Sequence, residues 1–152
     1  MQELFSEFAR EEFPELVSRL ESFDEHILSI SLSWFMHWFI HTLPMMTVVR
    51  VWDVIFIEGD KALMRLALAL VAINQENLMS VEDDSDLAVM FRQIGMLQFN
   101  ADELIKTAYP PKGLIFSGRR ILKVNHSVLN NLRQTKREKY DKKSKDIESD
   151  DE

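Results

Sequence analysis

The sequence predicts an all-α fold, and three features support that prediction. The chain of 152 residues contains only 4 glycines and 4 prolines. Its apolar residues recur at intervals of three and four, as on one face of an α-helix, and no segment alternates at two as a half-buried strand does. Hydrophobic residues make up 46% of the chain, which is enough for one globular core. We therefore expect a bundle of about six or seven helices with no sheet.

The first two helices are indicated by an amphipathic start and by a proline. Leu4, Phe5 and Phe8 share one face of the first helix, which has no N-cap residue. Pro14 lies where the first turn of a helix tolerates it, so a short second helix is expected to follow.

The third helix is predicted from a cluster of aromatic residues. Ser31 or Ser33 is its expected N-cap, and Pro44 ends it. The aromatic side chains cover so much of its circumference that we expect this helix at the centre of the bundle. These residues are Trp34, Phe35, Trp38 and Phe39.

Two further helices are expected, one on each side of Gly59. Gly59 is the predicted C′ residue of the helix before it, and Asp60 is the predicted N-cap of the helix after it. The first carries the apolar stripe Val48, Val49, Trp52, Ile55 and Phe56. The second is the clearest helix in the chain, with apolar residues at Leu63, Leu66, Ala67, Leu70 and Val71.

Capping signals mark the remaining helices. The acidic run that ends at Asp86 suits the N-terminus of a helix, and Asn100 with Glu103 resembles a capping box for a helix that Tyr109 stops. A last helix is expected from about Arg119 onward, with an apolar face that disappears near the charged tail. We therefore divide the chain into a domain over residues 1–135 and a charged tail over 136–152, whose composition predicts disorder.

Composition excludes several functional classes. With 25 Asp and Glu against 18 Lys and Arg, the chain lacks the positive surface that nucleic-acid binding needs. The absence of cysteine excludes a disulfide framework, a thiolate zinc site and a cysteine nucleophile. The acidic N-terminus does not resemble a signal peptide, so we expect a cytoplasmic protein.

One uncharged stretch, from Ile27 to Val49, is long enough to cross a bilayer. It contains several Ser and His residues, and Pro44 interrupts it, so a membrane-embedded protein is only a distant alternative and no stable membrane insertion is expected.

His37 and His41 have the spacing of a two-histidine metal site, but Trp38 stands where a catalytic motif would carry Glu, and no third ligand is near in sequence. The acidic run lacks the glycine of a calcium loop, and no nucleophile elbow or glycine-rich phosphate loop occurs. The sequence therefore predicts no catalytic residue, no metal site and no cofactor.

The segment from Trp34 to Val71 resembles the C-terminal signature of the TBC domain family of Rab GTPase-activating proteins. The family pattern has a Trp-Phe start, a Leu-Pro, an Arg-x-Trp-Asp and a Glu-Gly before an Ala- and Leu-rich helix. The resemblance covers roughly residues 2–108, about the second half of a family domain. The nine matching residues, which we call the signature residues, are Trp34, Phe35, Leu43, Pro44, Arg50, Trp52, Asp53, Glu58 and Gly59.

Physical chemistry predicts a structural role for the signature residues. Trp34 and Trp52 are expected as large buried anchors between helices, and Arg50 can pair with Asp53 three residues on. Gly59 permits a tight exit from its helix. We therefore expect a scaffold and not a catalytic site.

The resemblance implies a Rab-family small GTPase as partner and a role in vesicle trafficking. It also implies a mechanism in which an arginine and a glutamine of the activator enter the GTPase site. In the family these lie in Ile-x-x-Asp-x-x-Arg and Tyr-x-Gln motifs upstream of the matched segment. Neither motif occurs in this sequence, where Tyr109 is followed by two prolines and Tyr140 by Asp141. No catalytic residue can be carried over.

Two functions stay open at this point. The chain is either a fragment of an activator whose catalytic motifs lie upstream, or a shortened, non-catalytic binding module. The missing half domain also predicts a poorly covered apolar face near Trp34 and Phe39, and hence self-association or a partner. Any attachment to endomembranes is expected through that partner.

Overall fold

In the computed structural model, residues 2–22, 27–110, 130–131, 133–135 and 137–138 are described, and all regular structure in these ranges is helical. Seven helices follow one another between residues 2 and 108, which confirms the predicted all-α class. They are α1 (Gln2–Glu12), α2 (Pro14–Ser22), α3 (Ile27–Met36), α4 (Met45–Glu58), α5 (Asp60–Ser80), α6 (Asp84–Gln93) and α7 (Ala101–Ala108).

Local signals set several helix boundaries as predicted. Asp83 is the N-cap of α6, and its carboxylate accepts hydrogen bonds from the backbone N–H groups of Ser85 at 2.7 Å and Asp86 at 3.4 Å. The Ser85 hydroxyl also donates a hydrogen bond to this carboxylate. That bond contributes most, and the two backbone bonds add to it, so that the pKa of the Asp83 carboxyl is lowered. Asn100 caps α7 by accepting from the N–H of Glu103 at 3.0 Å. Its capping box is half formed, because the Glu103 carboxylate accepts from the Gln98 side chain at 3.4 Å.

Two predicted N-caps are wrong. Ser31 and Ser33 lie inside α3, and the buried Ser31 hydroxyl donates to the carbonyl of Ile27 at 2.6 Å. Asp60 is the first residue of α5, and Gly59 precedes it as the N-cap. The Gly59 carbonyl accepts from the N–H of Ala62 at 2.9 Å, so the backbone of Gly59 begins the helix without a side-chain cap.

The central helix is α5, and not the aromatic helix α3 that the sequence predicted. The six consecutive residues from Leu66 to Val71 are each 0% exposed, so this part of α5 is covered on every side. Helices α1, α2, α4, α6 and α7 all contact it. Alanines at 62, 67 and 69 lie on this helix and are also fully buried, and their small side chains allow neighbouring helices to approach closely.

The side chain of Trp34 joins several elements and is 1% exposed. Its ring meets Phe5 of α1 edge-on at 5.7 Å and stacks on Phe91 of α6 at 5.5 Å between centroids. The ring of Phe39, also 1% exposed, lies 6.3 Å away. The rings of Trp34 and Phe39 are therefore covered themselves, but apolar neighbours in the same segment are exposed, with Leu32 at 45%, Met36 at 67% and Ile40 at 38%.

Arg19 ties α2 to the start of α6. Its Nε and Nη2 atoms donate to one carboxylate oxygen of Asp84 at 3.0 and 2.8 Å. Nη2 also donates to the carbonyl of Val81 at 2.8 Å. A guanidinium that bonds a carboxylate in this way is a strong and directional contact, so it fixes the position of α6 against α2.

No helix among the described residues is long and apolar enough to cross a membrane. The predicted last helix falls mostly outside the described residues, including Ile121, Val124, Val128 and Leu132. Most of the predicted tail over 136–152 also lies outside them, so the division at residue 135 stays a prediction. Arg133, which is described, forms an ion pair with Asp60.

We predict that Trp34→Ala lowers the free energy of unfolding by about 3–5 kcal/mol, because it removes a fully buried indole from between four elements. Trp52→Ala should cost less, about 0.5–3 kcal/mol, because Trp52 is only partly buried. Chemical denaturation of both variants beside the parent chain measures this. A Trp52→Ala loss equal to or greater than that of Trp34→Ala would contradict the packing described above.

Candidate functional site

The turn over residues 37–43 follows α3 and has an unusual backbone. Trp38 has φ 48° and Phe39 has φ 65°, and positive φ is uncommon for residues other than glycine. The Phe39 N–H bonds to the carbonyl of Trp34 at 3.1 Å, and the Leu43 N–H bonds to the carbonyl of Phe39 at 2.9 Å. The predicted helix through Phe39 is therefore wrong. Burial of the Phe39 side chain against Trp34 offsets the cost of this conformation.

The turn also changes the setting of the two histidines. His37 and His41 do not share a helix, yet their rings lie 5.0 Å apart, edge to face, and both residues are exposed. No group of three or more potential metal ligands lies together in the described part of the chain. The pair therefore has no third side-chain ligand within those residues.

Trp52 joins α4 to the turn through a hydrogen bond. Its indole N–H donates to the carbonyl of Trp38 at 2.9 Å, which the left-handed conformation of Trp38 places within reach. The ring of Phe56 lies 6.1 Å from Trp52 and 6.0 Å from Trp38. Trp52 is therefore a half-buried residue at the edge of the surface, and the prediction of a fully buried anchor is wrong for it.

Arg50 and Asp53 form the predicted pair on the outer side of α4. The Nη1 atom of Arg50 lies 3.8 Å from the Asp53 carboxylate, and Nη2 lies 3.3 Å from Asp102 of α7. All three side chains are more than half exposed, at 58%, 64% and 67%. Ion pairs this exposed contribute about 0–1 kcal/mol to stability, so other roles at the surface must be considered.

The junction between α4 and α5 contains the last signature residues. Gly59 has φ 65° and ψ −142°, and its N–H closes α4 on the carbonyl of Ile55 at 2.7 Å. Glu58 forms an ion pair with Lys61. The guanidinium of Arg65 lies over the ring of Tyr109, 4.8 Å from its centroid, which links this junction to the end of α7.

The hydroxyl of Tyr109 is buried and has no hydrogen-bond partner among the residues that the structure describes. Burial, with a smaller contribution from the negative charge of Glu58, raises the pKa of Tyr109 to about 12, and the positive charge of Arg65 opposes that rise.

An exposed apolar surface lies along the outer side of α4. Its buried side carries Thr47, Val48, Val51 and Ile55. We define the α4 face as the residues on the opposite side, which are Met45, Met46, Val49, Arg50, Asp53, Phe56 and Ile57, all of them exposed. The predicted apolar stripe of this helix is wrong for Val49 and Phe56, which lie on the exposed face at 54% and 69%. The spacing of Met46, Val49 and Phe56 is visible in the sequence, but periodicity cannot decide which of two apolar stripes a fold buries.

The structure does not bring the nine signature residues to one place. Trp34 and Leu43 lie in the core, and Phe35 packs against Phe5 at 5.4 Å. Pro44 precedes α4 as its N-cap. The remaining ones lie on the outer half of α4 or at its end, namely Arg50, Trp52, Asp53, Glu58 and Gly59. This distribution suits a scaffold with one exposed side.

Comparisons with known proteins converge on one family. A model of the Rab-GTPase-TBC domain family matches residues 1–79. Growth hormone-regulated TBC protein 6 of Caenorhabditis elegans is 38% identical over 86 residues, which are 57% of this chain and 26% of that protein. Growth hormone-regulated TBC protein 1 of Xenopus tropicalis is 30% identical over 101 residues, 66% of this chain and 30% of that protein. The chain thus spans less than a third of the length of these relatives.

A solved structure gives the same result for the fold. The crystal structure of the Chlamydomonas flagellar RabGAP TBC domain matches with a TM-score of 0.64 and 31% sequence identity. The match covers 70% of this chain and 37% of that one.

We predict that Gly59→Ala lowers the free energy of unfolding by about 1–3 kcal/mol. A Cβ atom at Gly59 would meet nothing within 4 Å, so the loss comes from the backbone conformation alone. Denaturant unfolding measures it, with Glu76→Ala on the exposed side of α5 as the control. A Gly59→Ala variant as stable as the parent would show that φ 65° is not required there.

We predict that Tyr109 ionises near pH 12 in the folded chain, against 10.0 for an ordinary tyrosine. Because the folded-state pKa is raised, the stability that Tyr109 contributes is complete below pH 10 and is lost as the pH rises toward 12. The chain has 2 tyrosines, so Tyr140→Phe leaves Tyr109 as the sole absorbance signal of tyrosinate. Adding Glu58→Gln should lower the pKa of Tyr109. Titration near 10 in the folded state would contradict this environment.

Proposed function

The chain belongs to the Rab-GTPase-TBC domain family, and from that membership we propose that it binds a Rab-family small GTPase without accelerating GTP hydrolysis on its own. The proposed lack of catalytic activity rests on one observation. Neither the Ile-x-x-Asp-x-x-Arg motif nor the Tyr-x-Gln motif occurs anywhere in the 152 residues. An arginine finger stabilises the charge of the transition state, and a glutamine orients the attacking water, so a chain without both lacks the means of this catalysis.

The partners of the arginines support the same proposal. Arg19 bonds Asp84 across α2 and α6, Arg50 lies beside Asp53 and Asp102, and Arg65 covers Tyr109. Arg19 and Arg65 thus hold contacts between elements of the fold, and Arg50 lies against two carboxylates of its own chain. An arginine finger must instead reach out of its own protein into the active site of the GTPase. Arg119 and Arg120 lie outside the described residues.

A second candidate function follows from the extent of the match. The aligned part is only 37% of the solved TBC domain, so the same helices also fit the role of scaffold in a longer, catalytic activator. In that case finger motifs would precede this segment in the longer protein. The sequence of its messenger RNA upstream of Met1 distinguishes the two candidates, because it either encodes those motifs or does not.

The proposed role places the protein in the cytoplasm and in vesicle trafficking, with any contact to endomembranes made through the bound GTPase. We also propose that the chain self-associates, through a surface other than the one that the sequence predicted. The surface that we propose for it is the α4 face, since the rings of Trp34 and Phe39 are themselves covered.

We predict that the purified chain leaves the single-turnover rate of GTP hydrolysis unchanged for a panel of Rab GTPases. An arginine finger is worth roughly a thousandfold or more in rate, so even a weak catalytic contribution would be visible. A catalytically competent Rab activator domain serves as the positive control. Clear acceleration that Arg119→Ala or Arg120→Ala abolishes would overturn the prediction.

Binding is measured separately, with the same Rab proteins carrying a non-hydrolysable GTP analogue. Saturable binding to at least one of them is the expected result. If none of the panel binds, the binding module proposal is wrong and the scaffold role in a longer activator is favoured.

A further inference from the structure

Helix α4 packs on α5 and α7 with one side, and within the described part of the chain its other side is exposed. The exposed side is the α4 face. Its apolar members are highly exposed, with Met46 at 78%, Phe56 at 69% and Ile57 at 83%. Single exposed apolar residues are ordinary, but several on one helix side make a continuous surface of the kind that protein partners cover.

Further exposed apolar residues flank both ends of this surface. At the start of α4, the Thr47 hydroxyl donates to the carbonyl of Gln98 at 2.7 Å, which ties the segment that carries the exposed Leu97 and Phe99 to this end of the helix. At the other end, the ring of Trp38 lies 6.0 Å from that of Phe56. The surface therefore has an apolar group at each end of the helix.

Two opposite charges lie between these apolar ends. Arg50 and Asp53 are exposed, and their mutual contact of 3.8 Å is at the limit of an ion pair. Arg50 also contacts the exposed Asp102 of α7 at 3.3 Å, a contact that leaves its side chain more than half exposed. Along the helix, the midpoint between Arg50 and Asp53 falls between Val51 and Trp52. The midpoint between Met46 and Ile57 falls at the same place. In an antiparallel pair of α4 helices with a two-fold axis between them at the height of that point, Arg50 would lie at the height of Asp53 of the second copy, and Met46 at the height of Ile57 of the second copy.

We infer that the α4 face is a self-complementary interface through which two copies of this chain pack α4 against α4 in antiparallel orientation. In this arrangement each Arg50 faces Asp53 of the second copy, and each Met46 faces Ile57 of the second copy. Such an isologous contact is the commonest form of homodimer. A parallel pairing would place Arg50 against Arg50 and Asp53 against Asp53, so the charges select the antiparallel one.

The size of the face indicates a weak dimer. A helix of 14 residues is about 21 Å long, and one such helix covers less than the ~800 Å² per partner of a standard interface. Leu97, Phe99 and Trp38 add area at the two ends. The dimer is inferred from α4 and its neighbours and does not rest on the proposed GTPase binding.

Sedimentation velocity of the full chain over a range of concentrations tests the dimer. A reversible monomer to dimer equilibrium is expected, and Ile57→Glu should weaken it by about tenfold or more, because it places a charge at the apolar end of the face. Val89→Glu is the matched control, since Val89 is an exposed apolar residue of α6, at 49% exposure, away from α4. A chain that is monomeric at every concentration, or a dimer that Ile57→Glu does not affect, would overturn the inference.

Charge reversal tests the antiparallel register. The Arg50→Glu and Asp53→Lys variants should each dimerise more weakly, because each places like charges opposite one another. An equal mixture of the two should recover dimers, because each mixed dimer regains two opposite-charge contacts. Mixing cannot repair a folding defect, and far-UV circular dichroism of each variant checks the fold. Because a parallel pairing already opposes like charges in the parent chain, single variants that dimerise as strongly as the parent would contradict the antiparallel register. A mixture that stays as monomeric as its components would contradict the contact between Arg50 and Asp53 altogether.

Discussion

The position of Trp34 is the constraint on which much of this structure depends. Its ring contacts α1 through Phe5, α6 through Phe91 and the following turn through Phe39. Because so many elements meet one rigid side chain, a shift of any of them would open a cavity, which a packed core tolerates poorly. The burial of Phe39 beside this ring holds the turn over residues 37–43 in its left-handed conformation.

That turn connects the core to the outer surface. The same backbone that buries Phe39 directs the carbonyl of Trp38 toward the indole of Trp52 and leaves the Trp38 ring beside Phe56. Helix α4 is thereby fixed with one stripe against α5 and α7 and with the α4 face open. The signature residues of the family thus serve two purposes in one segment, since some fill the core and others lie at the exposed edge.

The sequence predicted the helices well where a local signal exists. Pro14 begins α2, Gly59 separates α4 from α5, and the side chains of Asp83 and Asn100 cap the helices that follow them. The predicted helix was wrong at Trp38 and Phe39. Their apolar spacing continues a helical pattern, but tertiary packing selects positive φ for both residues. The sequence also failed to identify the central helix, because α5 is covered on every side only when its neighbours are in place.

Because Trp34 packs against several elements at once, it should unfold together with the helices that surround it. Equilibrium urea unfolding of a Trp38→Phe, Trp52→Phe variant tests this directly, because its fluorescence then reports on Trp34 alone. The transition followed by that fluorescence and the loss of helix followed by far-UV circular dichroism should coincide. A fluorescence change that is complete before the helical signal falls would show that the Trp34 cluster is a separate, weaker unit and would contradict the account.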